Sequence, residues 1–390
     1  MRARRLAAGS FGRPLTAVWF LLALGSIAIC GPHPAHARDW PKALDPYVGR
    51  ISPGFQAWMA GHFALYAKAF IRADGRVVDA ENGHITHSEA IGYPMLLAAT
   101  ANDRATFDRV WTFARNNMQR PDGLISWVWD PNALPHVRDT NNATDGDMKI
   151  ATALYAGALR WGEPAYWQEG VRIAEAIGEN LIVLFEDRRL LLPGIEGFAE
   201  VRRGTGADGR PRMVATRSPV INTSYWIFFT FPALAELAPN HPWRLVAADG
   251  LYLLHGSTDV PTEWSNLRSG RGVWPAVGRP AEFSYNAVRI PLFLLHSGID
   301  IADFNERLLR VWGEPGRARP FSFAIPGNRR ITNMTDPGYR LIHQLMWCVE
   351  TDRPVDIELF AFRPTTYFAS SLHLLAFNAI YVYSPRCVPN

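Results

Sequence analysis

The chain has 390 residues, of which 48% are hydrophobic and 19% are charged. This composition excludes a disordered or collagen-like chain and supplies a large hydrophobic core, in one large domain or two small ones. The formal net charge is +4, and the excess of basic residues comes from the N-terminal segment.

The first 37 residues have the features of an export signal. Four arginines accompany an apolar run from Leu15 to Cys30, and Ala35-His36-Ala37 forms an A-x-A cleavage site. We therefore expect a cleaved bacterial signal peptide over 1–37 and a periplasmic or secreted mature chain; an uncleaved anchor is the alternative. Without those arginines, 36 basic residues face 36 acidic ones. The high isoelectric point is thus no sign of a nucleic-acid partner.

The rest of the chain is predicted to be helical. Apolar residues recur at helical spacing over about 54–71, 88–101, 104–118, 145–161, 164–180, 219–237, 241–255, 284–297, 301–311, 337–349 and 367–382. With no change of composition along it, residues 38–390 are predicted to form one all-α domain of paired helices. A closed double ring of helices would have a mouth lined by loops. The stretch at about 186–218 is expected to be a β-hairpin or an ordered loop beside a cleft.

Two cysteines remain after the predicted cleavage, Cys348 and Cys387. An export compartment permits a disulfide between a late helix and the C-terminal tail, and two free thiols are the alternative.

Carboxylates mark two predicted helix starts. Glu89 begins one apolar helix, although glutamate is also an ordinary first-turn residue. Asp145 and Asp147 begin another, where backbone N–H groups keep carboxylates ionised. The Asp145-Gly146-Asp147 run resembles part of a calcium loop but lacks its twelve-residue spacing and terminal glutamate. We predict no metal and no cofactor.

Aromatic residues form a third group of candidates. Flat rings suit the apolar faces of sugar rings, although each ring alone also fits core packing. The rings considered include Trp127, Tyr225 and Tyr285. The sequence has no G-x-S-x-G, C-x-x-C or H-E-x-x-H motif, which argues against a serine hydrolase and a zinc enzyme.

Four ordered stretches carry a family resemblance. They are 75–79 (GRVVD) followed by 88–89 (SE) and 92–93 (GY); 143–147 (ATDGD) with 150–151 (IA); 191–194 (LLPG) with 197–200 (GFAE); and 284–287 (SYNA) with Arg289. Together they resemble glycoside hydrolase family 8, and within it the periplasmic endoglucanases associated with bacterial cellulose synthesis.

The resemblance implies an (α/α)6 barrel and hydrolysis of a β-1,4-linked glycan with inversion at the anomeric carbon. By position, Glu89 resembles the general acid, and Asp145 resembles the carboxylate that holds and distorts the sugar at the cleavage point. The sugar-contacting residues implied are Trp127, Tyr225, Tyr285 and Arg289.

The resemblance does not extend to the catalytic base. Inversion requires a second carboxylate about 6.5–9.5 Å from the acid, to deprotonate the attacking water. The family pattern places an aspartate where this chain has Asn286, and an amide does not take that proton near neutral pH. Either another carboxylate serves as base, or hydrolysis is slow, or catalysis is lost and a glycan groove remains. The candidate bases are Asp145, Glu263 and Glu282.

Two functions are therefore expected. The first is an exported endo-β-1,4-glucanase acting on cellulose or a related exopolysaccharide, with a cellulose or exopolysaccharide synthase complex as a further partner. The second, motivated by Asn286, is a weak or inactive family-8-like protein that binds a glycan. A helical barrel without a glycan site would leave the four motifs unexplained.

Overall fold

The computed structural model describes residues 40–205, 211–255, 260–268, 272–300 and 302–389. These residues belong to one compact unit, His36–Asn390. The predicted signal peptide at 1–37 lies outside the described residues, so the boundary at residue 37 stays a prediction. Within the described part of the chain, no helix combines the length and apolar character needed to cross a bilayer.

Twelve α-helices occur in the described ranges. They are α1 Asp45–Val48, α2 Pro53–Phe70, α3 Ser88–Ala101, α4 Arg104–Asn117, α5 Thr144–Trp161, α6 Pro164–Asn180, α7 Phe231–Leu237, α8 Trp243–His255, α9 Arg289–His296, α10 Ala302–Trp312, α11 Pro337–Thr351 and α12 Tyr367–Tyr383. They form the expected (α/α)6 barrel.

The burial of the helices separates an inner from an outer set. α3, α9 and α12 are buried on nearly every face, which is the pattern of a helix enclosed by others. In contrast, α4, α6 and α10 bury one apolar stripe and expose the opposite face. α3 and α5 pack against each other, and their N-terminal ends open at the cleft described below.

The strands are short and lie in the connections between the helices. They are β1 Thr86–His87, β2 Val128–Trp129, β3 Ile182–Phe185, β4 Arg188–Leu191, β5 Val201–Thr205, β6 Pro211–Ala215, β7 Val220–Asn222, β8 Trp264–Arg268, β9 Gly272–Pro275, β10 Glu282–Phe283, β11 Phe321–Ala324 and β12 Arg330–Asn333. The larger sheets have the orders β4-β3-β6-β5, β7-β8-β9 and β10-β11-β12. β5 and β6 pair antiparallel, with Arg203 opposite Met213, so the predicted hairpin insertion is present.

Two predicted helices begin later than expected. In place of a helix over 219–230, the chain forms β7 and the 3-10 turns Thr223–Tyr225 and Phe228–Thr230 before α7. The Asn222 side chain accepts the backbone N–H of Ser224 at 3.1 Å, and such local bonds compete with helix formation. Residues 285–288 form turns, and the helix predicted over 284–297 begins at Arg289.

A disulfide joins Cys348, on α11, to Cys387 in the C-terminal 3-10 turn Pro385–Cys387. Both residues are fully buried. Of the two alternatives left open by the sequence, the structure has the disulfide.

Candidate active site

Glu89 and Asp145 lie in the first turns of two neighbouring helices, α3 and α5. The α3 start is capped by His87, whose Nδ1 accepts the backbone N–H of Ala90 at 3.2 Å. At the start of α5, the Oδ1 atom of Asp145 accepts the backbone N–H of Gly146 at 2.9 Å. Both carboxylates therefore sit where the helix dipole favours negative charge.

Glycine allows these helix starts to approach closely. A Cβ atom at Gly146 would collide with Ser88, and one at Gly92 would lie 2.5 Å from Cβ of Lys149. A side chain at either position would therefore separate α3 from α5 and move the two carboxylates apart.

Two cations bridge the carboxylates. The Lys149 ammonium contacts Oε1 of Glu89 at 2.9 Å and Oδ2 of Asp145 at 3.0 Å. The Arg289 guanidinium donates to the same two oxygens, and its distance to Asp145 is 2.7 Å. Lys149 and Arg289 are both buried. The four groups form an ionic quartet, Glu89–Asp145–Lys149–Arg289, with a formal charge of zero.

The quartet controls the ionisation of Asp145. Burial alone raises the pKa of a carboxyl group, because it penalises the charged form. For Asp145, however, the charges of Lys149 and Arg289 outweigh burial, so its pKa falls well below the usual range. Asp145 is thus an anion at all ordinary pH values, suited to holding a sugar hydroxyl.

Asn286 lies beside the quartet and is held from two sides. Its Oδ1 atom accepts from Arg289 at 2.7 Å. Its Nδ2 group donates to Oε2 of Glu263 at 3.1 Å, and its backbone N–H donates to Oε1 at 2.6 Å. Burial raises the pKa of Glu263, and the two bonds from Asn286 oppose that rise. Both polar atoms of the Asn286 amide therefore have charged partners.

The quartet opens into a cleft of about 350 Å³. Three aromatic residues predicted to contact sugar line it together with Arg289: Trp127, Tyr225 and Tyr285. Trp127 and Tyr285 are 37% and 45% exposed, so their faces are available to a ligand, whereas Tyr225 is buried. The Trp127 indole donates to Asp139 at 2.7 Å, which fixes its ring.

A third carboxylate lines the same cleft. Asp79 lies 3.2 Å from Nε2 of His87. Because Nδ1 of His87 accepts a backbone N–H, the proton of a neutral ring is on Nε2 and is donated to Asp79. Neither Glu263 nor Glu282 is among the described residues that line the cleft. No group of three or more histidine, cysteine or acidic side chains within the described ranges is arranged to hold a metal ion.

The structure brings all seven predicted site residues to one cleft: Glu89, Trp127, Asp145, Tyr225, Tyr285, Asn286 and Arg289. Sequence reasoning did not identify Lys149, which contacts both carboxylates, or Phe368, which lines the cleft. The sequence does contain a signal for Lys149. It lies four residues after Asp145 and is the one cation within 148–159, where the other residues are apolar or small.

An (α/α)6 barrel with carboxylates and exposed aromatic rings in one cleft is typical of glycoside hydrolases. The model of Glycosyl hydrolases family 8 matches residues 54–304. The chain belongs to this family.

Relatives and solved structures agree with that assignment. An endoglucanase from Cellulomonas uda is 32% identical over 262 residues, covering 66% of this chain and 67% of the relative. A probable endoglucanase from Novacetimonas hansenii is 30% identical over 328 residues, covering 82% and 90%. The structure of the endo-β-1,4-glucanase CMCax from Acetobacter xylinum has a TM-score of 0.71 and 28% identity, covering 84% of this chain and 99% of that one.

Proposed function

We propose that this protein is an inverting endo-β-1,4-glucanase. Family membership supports glycan hydrolysis, and several relatives are named endoglucanases. The observation that carries the proposal is the placement of Glu89 in the first turn of α3, 14% exposed to a cleft that also contains Asp145 and two exposed rings.

The roles follow from exposure and charge. Glu89 reaches the cleft and donates its proton to the departing glycosidic oxygen. Asp145 stays ionised and binds the sugar at the cleavage point. Trp127 and Tyr285 stack on the apolar faces of neighbouring sugars. Water attacks the anomeric carbon from the face opposite the departing oxygen, and its proton passes to an acceptor in the cleft or to solvent.

The Glu89→Gln variant tests this function. We expect its release of reducing ends from a soluble β-1,4-glucan to fall by about 10²–10⁴-fold, because the amide has no acidic proton to donate. Binding of the glucan should persist, since the cleft keeps its rings. The matched control is Glu306→Gln on the exposed face of α10, 68% exposed, with unchanged activity. Equal activity of the Glu89→Gln variant and the wild type would remove the enzyme proposal.

A second function, glycan binding with little or no hydrolysis, is favoured by Asn286. None of the candidate bases named from the sequence lies free in the cleft. Glu263 accepts hydrogen bonds from Asn286, and Glu282 is not among the described residues that line the cleft. Asp145 is paired with Lys149 and Arg289. If the wild type binds the glucan but releases no reducing ends at any pH, this second function replaces the first.

The location and partners form a separate proposal. We propose export to the periplasm or beyond, directed by residues 1–37, and association with a cellulose or exopolysaccharide synthase complex. The support is the sequence of the first 37 residues and the family subgroup that the motifs resemble. Fractionation of cells producing the full chain, with N-terminal sequencing of the product, tests the first part. A chain that keeps residues 1–37 would contradict cleavage.

A further inference from the structure

Lys149 is a buried cation that the family resemblance does not explain. Its side chain is fully enclosed, and burying an ammonium group is costly unless it is paired and hydrogen-bonded. An ammonium group has three donors. Two contact Glu89 and Asp145, and the group also lies 4.6 Å from the centroid of the Tyr93 ring. The burial is therefore compensated within the active site itself.

The position of Lys149 is built into the helix packing. Gly92, one turn after Glu89 on α3, leaves room for the Cβ and Cδ atoms of Lys149. Arg289, from α9, already bridges the same two carboxylate oxygens. With Arg289 alone the two carboxylates would have a net charge of −1, and Lys149 brings the total to zero.

The other groups around the quartet are mostly phenols. They come from α2, α3, the turn Thr223–Tyr225, α11 and α12. Burial raises the pKa of each of them above its ordinary value, so they stay neutral: Tyr66, Tyr93, Tyr225, Tyr339 and Tyr367. The Asp79–His87 pair and Glu263, which is hydrogen-bonded to Asn286, are further titratable groups near the quartet. The charge on Glu89 is thus balanced chiefly by Lys149 and Arg289.

We propose that Lys149 is a positioning residue whose ammonium group holds the carboxylate of Glu89 beside that of Asp145. This inference rests on the proposed role of Glu89 as the acid. Without the ammonium group, Arg289 alone would join the two carboxylates. Glu89 would then be held less firmly, and a small displacement of a catalytic group slows the chemical step.

The separate values of kcat and KM on a soluble β-1,4-glucan test this inference. The variants Lys149→Met and Lys149→Gln both remove the charge, and Lys149→Gln keeps a donor. For Lys149→Met we expect kcat to fall at least about tenfold with little change in KM, and for Lys149→Gln we expect a smaller fall in kcat. The matched control, Lys68→Met, changes an exposed lysine of α2 and should leave both constants unchanged. Thermal unfolding of each variant separates loss of fold from loss of the contact.

The outcomes separate the inference from the function. If Lys149→Met and Lys149→Gln fold and hydrolyse glucan with the kcat of the wild type, the role of Lys149 is overturned. If the wild type hydrolyses nothing at any pH, the proposed function fails instead.

A crystal structure of the wild type tests the inference without activity or a folded lysine variant. A Lys149 ammonium within hydrogen-bond distance of both Glu89 and Asp145 supports the inference, and a Lys149 side chain turned away from Glu89 overturns it.

Discussion

Asn286 and Glu263 are hydrogen-bonded to each other, so a substitution at either position changes the contacts of the other residue. The amide donates twice to the carboxylate, once from its backbone and once from Nδ2. An aspartate at position 286 would put a second carboxylate about where Nδ2 lies, 3.1 Å from Oε2 of Glu263. Two carboxylates that close share a proton, so neither is a good acceptor for the proton of water.

The two substitutions should therefore act together. We expect Asn286→Asp alone to give a small gain in glucan hydrolysis, and Asn286→Asp combined with Glu263→Gln to give a gain of about 10²-fold or more, because the double variant has one free carboxylate. The measurement is kcat on a soluble β-1,4-glucan, with Glu263→Gln alone as the control. A double variant no faster than wild type would mean that water activation does not depend on position 286.

At the scale of single helices, Asp147 is the most consequential buried carboxyl outside the quartet. It lies two residues after Asp145 on α5 and accepts bonds from the backbone of Ile125 and the side chain of Asn142, each at 2.8 Å. Burial raises the pKa of Asp147 to about 7, although both bonds oppose the rise. This carboxyl ties two points of the connection between α4 and α5 to the first turn of α5.

The raised pKa predicts the sign of a stability change. The unfolded chain loses this proton near pH 4 and the folded chain near pH 7, so the folded state binds more protons between them. This contribution is complete below about pH 4 and is lost as the pH rises through 7. Urea unfolding should show a wild-type stability that declines over this window by up to about 1.4 kcal/mol per pH unit relative to Asp147→Asn.

The control for this experiment is Asp187→Asn, an exposed carboxylate, 78% accessible. Its unfolding free energy should follow the wild type at every pH. Parallel curves for wild type and Asp147→Asn would show that Asp147 does not titrate between the two states.

Most helices could be predicted because their periodicity is local. α3, α4, α5 and α6 begin and end within a residue of the predicted bounds, since caps and glycines act within a few residues. The late start of α9 could not be predicted, because the backbone N–H of Asn286 is given to Glu263, which is distant in sequence. The strands carry too few residues for a visible alternation, and some of them pair with distant partners, as β1 does with β2 and β7 with β8.

The candidate site shows the same division. Motif resemblance located Glu89, Asp145 and Arg289, because each lies in a recognisable stretch. The pairing of Lys149 with Glu89 joins residues 60 apart, and no local pattern specifies it. The sequence suggests Glu263 only as a candidate base. In the structure, its carboxylate accepts two hydrogen bonds from Asn286.

At the scale of the whole molecule, the disulfide fastens the end of the chain. Cys348 and Cys387 are separated by 39 residues, and the segment between them contains all of α12, a helix that is buried on nearly every face. The backbone N–H of Val355 also donates to the carbonyl of Cys387 at 2.9 Å. The link therefore restricts how far α12 can separate from α11 when the chain unfolds.

Loss of this link should lower stability. For Cys348→Ala combined with Cys387→Ala, we expect the unfolding free energy to fall by about 2–4 kcal/mol, since the unfolded chain regains the entropy of a loop of this length. The measurement is denaturant unfolding, with the wild type under reducing and oxidising conditions as the internal control. A wild type indifferent to reductant would contradict the prediction.

The neutral quartet also bears on inhibitor choice. Positively charged sugar mimics such as iminosugars gain affinity where a glycosidase presents unpaired acidic groups. Here two protein cations already occupy that position, with 2% of the Arg289 side chain and none of the Lys149 side chain exposed. A basic nitrogen placed at the cleavage point would find both carboxylates of the quartet already paired with cations, so we expect its charge to add little affinity over an uncharged mimic such as a lactam.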